Sequence, residues 1–165
     1  MAGRIALART LAALGAGALV LSLATAPVAS QTRTDIAVVV HPDVGVENLT
    51  LAELRRILLG DREFWPSGVR VTLLIRAPIA RERDAAVKDV CQMTEAQFRQ
   101  HWIAKVFRAD AVTGPKIVYS SQMAVEQVSR TPGAMAFVDA PLAGKGVKVV
   151  KIEGKSPGQA GYRLK

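Results

Sequence analysis

The sequence of 165 residues contains a single cysteine and two histidines. Because Cys91 has no second cysteine to pair with, a disulfide within the chain is excluded, and we predict that its thiol lies in the apolar core. His41 and His101 do not form a His-x-x-x-His pair, and Cys-x-x-Cys does not occur, so no spacing typical of a metal centre is present. The sequence therefore predicts a domain that needs no metal and no cofactor and is stabilised by apolar side chains.

Sequence patterns typical of enzymes are also missing. The chain lacks the Gly-x-Ser-x-Gly motif of hydrolases, the phosphate-binding loop of nucleotide hydrolases and the Gly-x-Gly-x-x-Gly motif of dinucleotide-binding domains. Asp84 and Asp89 belong to a charged helical stretch, where solvated carboxylates are expected. We therefore predict that the chain is not an enzyme.

Positive charge exceeds negative charge, since 22 Lys and Arg residues stand against 14 Asp and Glu residues and give a net charge of +8. Such an excess favours nucleic acid, an acidic surface or an anionic ligand as a partner. The basic residues are scattered, however, and do not alternate with aromatic residues as they do in single-strand binders. We predict no nucleic-acid partner, whereas a solvated basic face and an anionic ligand both remain open.

Residues 1–30 have the pattern of a secretory signal peptide. Arg4 and Arg9 form a basic start, residues 11–26 are apolar and uncharged, and small residues follow up to Ser30, after which we place the cleavage. An uncleaved membrane anchor is the alternative, but the apolar run is short for a membrane span. The signal predicts export to the periplasm, with no stable membrane insertion after cleavage.

Alternating strands and helices are predicted over residues 31–152, as a single domain. Residues 36–40 are five consecutive apolar residues, typical of a strand buried on both faces. Further strands are predicted at residues 69–76, 116–120, 134–138 and 146–152. The alternation favours an α/β fold, a three-layer sandwich with helices flanking a mostly parallel or mixed sheet. Residues 153–165 are polar and glycine-bearing, and we expect them to form a loose tail.

Capping boxes delimit two of the predicted helices. Thr50 is followed three residues later by Glu53, and Thr94 by Gln97, so that each pair can satisfy free backbone N–H groups at a helix start. Gly60 is placed to end the first of these helices. The second is amphipathic, and its expected buried residues are Phe98, Trp102, Ile103, Val106 and Phe107.

Five residues are candidates for binding a ligand. Thr50, Ser120 and Ser121 precede or begin helices, whose free N–H groups and partial positive charge suit an anion. Arg76 ends the second predicted strand and could add a bidentate guanidinium, while His41 lies in the loop after the first strand. Ordinary helix capping or turn packing explains each of these residues as well.

Two segments resemble a known family. Residues 38–76, "VVVHPDVGVENLTLAELRRILLGDREFWPSGVRVTLLIR", and residues 120–140, "SSQMAVEQVSRTPGAMAFVDA", are similar to phosphate-type substrate-binding proteins of ABC transporters. The matching residues are Pro42, Leu49, Leu54, Ile57, Gly60, Trp65, Gly68, Arg76, Ser121, Val128, Pro132, Gly133, Ala134 and Val138. The resemblance implies one lobe of a type 2 periplasmic binding protein fold, as a small single-domain member.

The resemblance implies two alternative functions. In the first, the chain is a non-catalytic periplasmic solute-binding-like module for phosphate or another small anion, working with the membrane component of an ABC transporter. The family's Ser-Gly-Thr after the arginine is replaced by "RAPIARERD" at residues 76–84, however. In the second, the chain is therefore a ligand-free accessory, interaction or sensory protein of the cell envelope, and its lobe docks to another envelope protein or to a second copy.

Overall fold

The computed structural model describes residues 34–165, so the predicted signal peptide lies outside the described residues. Within these residues, six strands and four helices follow one another. The strands are β1 Ile36–Val40, β2 Asn48–Leu49, β3 Thr72–Arg76, β4 Lys116–Val118, β5 Ala134–Asp139 and β6 Lys148–Ile152. The helices are α1 Leu51–Leu58, α2 Arg81–Asp84 with its π-helical continuation Ala85–Val90, α3 Glu95–Phe107 and α4 Ser121–Arg130.

The strands form one mixed sheet in the order β2-β6-β1-β5-β3-β4. The pairs β2–β6, β3–β5 and β3–β4 are parallel, whereas β1 is antiparallel to both of its neighbours, β5 and β6. The predicted α/β fold is therefore confirmed, with a mixed sheet. The apolar run of β1 is completely buried because this strand lies inside the sheet and is covered on both faces.

Helices cover the two faces of the sheet and give the predicted three layers. Ile36, Val38 and Val40 of β1 pack in one apolar cluster with residues of α1, the π-helical turns and α3. Ala37 and Val39 point to the other face, into a smaller cluster with residues of α4. This division follows from the two-residue period of side chains along a strand. Cys91 is buried, as predicted, and burial raises the pKa of its thiol to about 12.

Both predicted capping boxes are present. The Thr50 hydroxyl accepts a hydrogen bond from the Glu53 N–H at 3.2 Å, and the Glu53 carboxylate accepts one from the Thr50 N–H at 2.9 Å. Thr94 and Gln97 form the same pair of bonds at the start of α3. Gly60 follows α1 with φ 70°, and a Cβ there would lie 2.7 Å from the Trp102 ring. Glycine is therefore required at this position for both its backbone angle and its size.

The prediction that the second half of α3 is buried is wrong. Ile103, Val106 and Phe107 are 56%, 41% and 91% exposed. The helix instead turns Trp102 and Lys105 toward the end of α1, where the Lys105 ammonium donates to the Gly60 carbonyl and the Asp61 carboxylate, both at 2.7 Å. A lysine thus takes a place on the packed side of the helix, and the apolar residues beside it face outward.

Residues 153–165 pack against the domain rather than forming the expected loose tail. Tyr162 and Leu164 are 3% and 1% exposed. The Tyr162 hydroxyl donates to the Ile36 carbonyl at 2.8 Å, and the Ile36 N–H donates to the Leu164 carbonyl at 3.1 Å. These contacts cover the N-terminal end of β1. Because most residues of the segment are polar, the sequence did not indicate that Tyr162 and Leu164 are buried.

Among residues 34–165, the structure contains no helix with the length and apolar character needed to cross a membrane.

We expect Leu164→Ala to lower the free energy of unfolding by about 2–4 kcal/mol, because it removes a fully buried side chain and leaves a cavity. The matched control is Leu142→Ala, at a leucine that is 41% exposed, where a change below about 1 kcal/mol is expected. Urea denaturation of both variants measures the difference. Equal effects at the two positions would contradict the packed arrangement of the C-terminal segment.

Candidate ligand-binding site

The ends of four strands lie side by side at one end of the sheet. The C-terminal ends of β3, β4 and β5 lie side by side because these strands are parallel, and the N-terminal end of the antiparallel β1 joins them. Arg76 is the last residue of β3. At the same end of the sheet, α2 begins shortly after β3, and α4 begins shortly after β4. The topology therefore gathers a cationic side chain and two helix starts in one place.

A buried carboxylate joins these elements. Arg76 Nε donates to Glu82 Oε1 at 3.0 Å, and the Ser121 hydroxyl donates a short hydrogen bond to the same oxygen. The N–H of Asp139 donates to Ser121 Oγ at 3.3 Å. Glu82 is only 4% exposed. We call Arg76, Glu82, Ser121 and the Asp139 N–H the Glu82 cluster.

The two adjacent serines have different roles. Ser120 is the N-cap of α4, and its hydroxyl accepts a hydrogen bond from the Met123 N–H at 3.0 Å. Ser121 is the first residue of the helix, and its buried side chain points toward Glu82. Ser120 therefore caps the helix, as an ordinary N-cap would, while Ser121 contributes a donor to the cluster.

The charge of Glu82 is maintained by its hydrogen bonds. Burial alone would raise the pKa of this carboxyl, but the Ser121 hydroxyl, the N–H of Glu82 itself and the Arg76 guanidinium together hold the pKa below its ordinary value of 4.5. Glu82 also lies in the first turn of α2, where a negative charge is favoured by the helix dipole. The carboxylate is therefore ionised at neutral pH, and it neutralises Arg76.

Two further arginines surround the cluster. Arg81 donates to the Thr34 carbonyl at 2.6 Å and to the Asp139 carboxylate at 3.3 Å. Arg83 is buried and binds both oxygens of Glu95, at 2.8 and 2.7 Å, as well as the Arg76 carbonyl at 2.8 Å. The charged sequence "RERD" at residues 81–84 looks like a solvated helical surface, which is why sequence analysis missed the roles of Glu82 and Arg83.

The structure brings together some of the predicted ligand-binding residues and separates others. Arg76 and Ser121 meet at Glu82, and Ser120 is adjacent. Thr50 lies at the same end of the sheet, but it follows the edge strand β2, four strand spacings or about 19 Å from β3. His41 follows the C-terminal end of β1, at the opposite end of the sheet, where its Nδ1 accepts a hydrogen bond from the Asp43 N–H at 3.2 Å.

The cluster holds a negatively charged oxygen of the chain itself. It consists of the Arg76 guanidinium and the Ser121 hydroxyl, which both donate to one oxygen of the Glu82 carboxylate, and of the Asp139 N–H, which donates to Ser121 Oγ. In the described part of the chain, no group of three His, Cys, Asp or Glu side chains is arranged to hold a metal ion. Both side-chain donors of the cluster are thus engaged by a carboxylate of the same chain.

Solved structures with the same fold include phosphate-transport proteins. A putative phosphate ABC transporter substrate-binding protein with bound phosphate from Clostridium perfringens superposes with a TM-score of 0.58 and 18% identity, over 73% of this chain and 46% of the other. An ABC-type phosphate transport receptor from Vibrio cholerae gives 0.59 and 20%, over 75% and 48%. PstS from Borrelia burgdorferi gives 0.58 and 17%, over 75% and 49%. This chain has the fold of a PstS-type lobe.

The resemblance predicted from the sequence is thus confirmed for the fold. The matched region spans slightly less than half the length of these binding proteins. No family model matches the chain, and no curated protein matches it. At identities of 17–20%, the similarity shows that the chain shares the PstS-type fold. The ligand and the partners of this chain are inferred from its own residues.

The lowered pKa of Glu82 predicts an acid-sensitive contribution to stability. A carboxyl whose pKa is lower in the folded state stabilises the protein fully above its unfolded-state value of 4.5, and this stabilisation is lost as the pH falls through the lower folded-state value. Glu82→Gln keeps an acceptor but cannot ionise. We therefore expect the melting temperature of the natural protein to exceed that of the variant at pH 7, and the difference to shrink below about pH 4.5. A difference that stays constant from pH 7 to pH 3 would contradict an ionised Glu82.

Proposed function

We propose that the chain is a non-catalytic, solute-binding-like module of the cell envelope that uses its PstS-type lobe to dock to another envelope protein. In this proposal the lobe does not retain free phosphate. The partner presents apolar side chains accompanied by carboxylates. The membrane component of an ABC transporter belongs to the class of proteins that could serve as this partner.

The distribution of exposed apolar side chains carries the proposal. Of the eleven large apolar residues that are exposed within the described part of the chain, seven lie between residues 103 and 123. They are Ile103, Val106, Phe107, Val112, Ile117, Tyr119 and Met123. Single exposed apolar residues are common on protein surfaces, whereas a concentration of them is typical of an interaction site. We call the depression lined by Trp102, Ile103, Val106, Phe107 and Gly114 the α3 face.

The charges near the α3 face favour an acidic partner over a second copy. Arg108 and Lys116 are exposed and lie in sequence between the apolar residues, and the exposed Arg99 precedes them. Arg108 binds the Asp110 carboxylate at 2.9 Å, which leaves the surroundings cationic on balance. Two such faces would repel each other, because both carry the same excess charge, whereas carboxylates on a partner would be attracted.

The edge of the sheet next to this region supports the same proposal. β4 is the outermost strand and pairs only with β3, so its other edge presents backbone groups that a partner strand could bind. Ile117 of β4 and Tyr119 just after it are exposed. Docking along β4 and the α3 face would combine backbone hydrogen bonds with apolar contact.

The engagement of Glu82 argues against capture of free phosphate. Arg76 and Ser121 are the predicted donors for a small anion, and both already bind the Glu82 carboxylate. A phosphate at this position would have to displace a buried, ionised side chain and would also meet its negative charge. The alternative, phosphate binding as in the Clostridium perfringens protein, therefore requires Glu82 to move.

Site-specific crosslinking tests the docking proposal. A photo-crosslinking phenylalanine analogue is placed at Phe107, on the α3 face, and in a matched control at Val149, which is exposed on β6. Irradiation of cells should give one protein adduct at Phe107 and none at Val149. Lys116→Glu should reduce the adduct at least about threefold, because it reverses the charge that attracts the partner. An adduct with a second copy, or equal adducts at both positions, would contradict the proposal.

Calorimetry on the purified natural protein forms the second arm of this experiment. Phosphate and sulfate should give no saturable heat up to about 1 mM. Saturable phosphate binding that is lost in Ser121→Ala would show that a free anion displaces the Glu82 carboxylate. Solute binding would then replace docking as the proposed function.

A further inference from the structure

The Glu82 carboxylate occupies a place that a free carboxylate could take. We propose that the Glu82 cluster is a binding site for a small monocarboxylate, which the chain fills with its own side chain, and that removal of this side chain opens the site to acetate or formate. This inference is independent of the docking proposal. Docking uses the α3 face and β4, whereas the inference concerns only the Glu82 cluster.

The donors of the cluster are held in place by contacts that do not involve Glu82. Arg76 Nη1 donates to the Val118 carbonyl at 3.4 Å, and the Arg76 backbone carbonyl accepts from Arg83 Nη1 at 2.8 Å. Ser121 Oγ accepts from the Asp139 N–H at 3.3 Å. Loss of the carboxylate would therefore leave these donors close to their present positions, which is the condition for binding a replacement ligand without a large ordering cost.

The size of the vacated space matches a small carboxylate. Glu82→Ala removes four heavy atoms, namely Cγ, Cδ and the two carboxylate oxygens, and acetate has four heavy atoms. The side chain is buried, so the space lies within the protein. Phosphate has five heavy atoms and a tetrahedral shape, whereas the present occupant is planar. The site therefore favours a planar carboxylate over a tetrahedral oxyanion.

The charge balance favours the uptake of an anion. In the described part of the chain, every buried side-chain nitrogen and oxygen has a hydrogen-bond partner. Removal of the Glu82 carboxylate would leave the Arg76 guanidinium, whose side chain is 14% exposed, without its counter-ion. A buried, unpaired charge is strongly unfavourable. The nearby carboxylates do not replace Glu82, because Asp139 is bound to Arg81 and Glu95 to Arg83.

Thermal unfolding of Glu82→Ala in different sodium salts at pH 7 tests the inference. In chloride the variant should melt well below the natural protein. Acetate and formate at up to about 100 mM should raise its melting temperature in a saturable way, by about 3 °C or more relative to chloride at the same ionic strength. The natural protein and Glu82→Gln should show no such difference, since their site is filled.

A second variant shows where the anion binds. In Glu82→Ala combined with Ser121→Ala, the response to acetate should be lost or greatly reduced, because one donor is missing. Equal melting temperatures of Glu82→Ala in acetate and chloride would overturn the inference, as would an equal response of the double variant. A response to phosphate as large as that to acetate would overturn the assignment of the site to carboxylates.

The test also holds if Glu82→Ala is unfolded in chloride. A ligand that binds only the folded state shifts the equilibrium toward it, so acetate should then restore the circular dichroism signal of the folded protein. Absence of recovery in acetate, under conditions where Glu82→Gln is folded, would overturn the inference.

Discussion

The hydrogen bonds of the ionised Glu82 carboxylate hold together the end of the sheet at which β3, β4 and β5 terminate. The carboxylate links the end of β3 through Arg76, the start of α4 through Ser121, and, through the Ser121 hydroxyl, the Asp139 N–H at the end of β5. A carboxylate that is 4% exposed has lost nearly all of its hydration and persists only because these donors replace the water. The same interaction engages Arg76 and Ser121, two of the residues that the sequence predicts to bind an anion.

Because of this internal neutralisation, the function that we propose differs from phosphate binding, although the fold is that of a PstS-type lobe. The lobe resembles that of phosphate-transport proteins, yet the donors at the carboxyl ends of its strands have an acceptor in the chain itself. In the described part of the chain, seven of the eleven exposed large apolar residues lie between the second half of α3 and the start of α4. The segment richest in exposed apolar residues thus extends to the start of α4, and the function that we propose rests on this surface rather than on the fold.

Much of the fold could be predicted from the sequence, because local patterns determined it. The apolar run of β1 and the capping boxes at Thr50 and Thr94 act over a few residues, and each was placed correctly. Arg76 and Ser121 were among the residues predicted to bind a ligand, which stays a prediction. The partner that joins them could not be found in this way, because Glu82 lies in a run of charges typical of solvated helices, and its burial depends on strand order. Lys105 and Tyr162 were missed for the same reason, since their contacts join distant parts of the chain.

The most direct measurement of the central claim is the titration of the Glu82 carboxyl carbon by NMR, with and without phosphate. A Glu82 carboxylate fixed by Arg76 and Ser121 should titrate with a midpoint below the ordinary value of 4.5, and its chemical shift at pH 7 should not change with phosphate. A midpoint at or above 4.5, or a shift that responds to millimolar phosphate, would show that Glu82 is not the fixed ligand of Arg76 and Ser121 and would contradict the account.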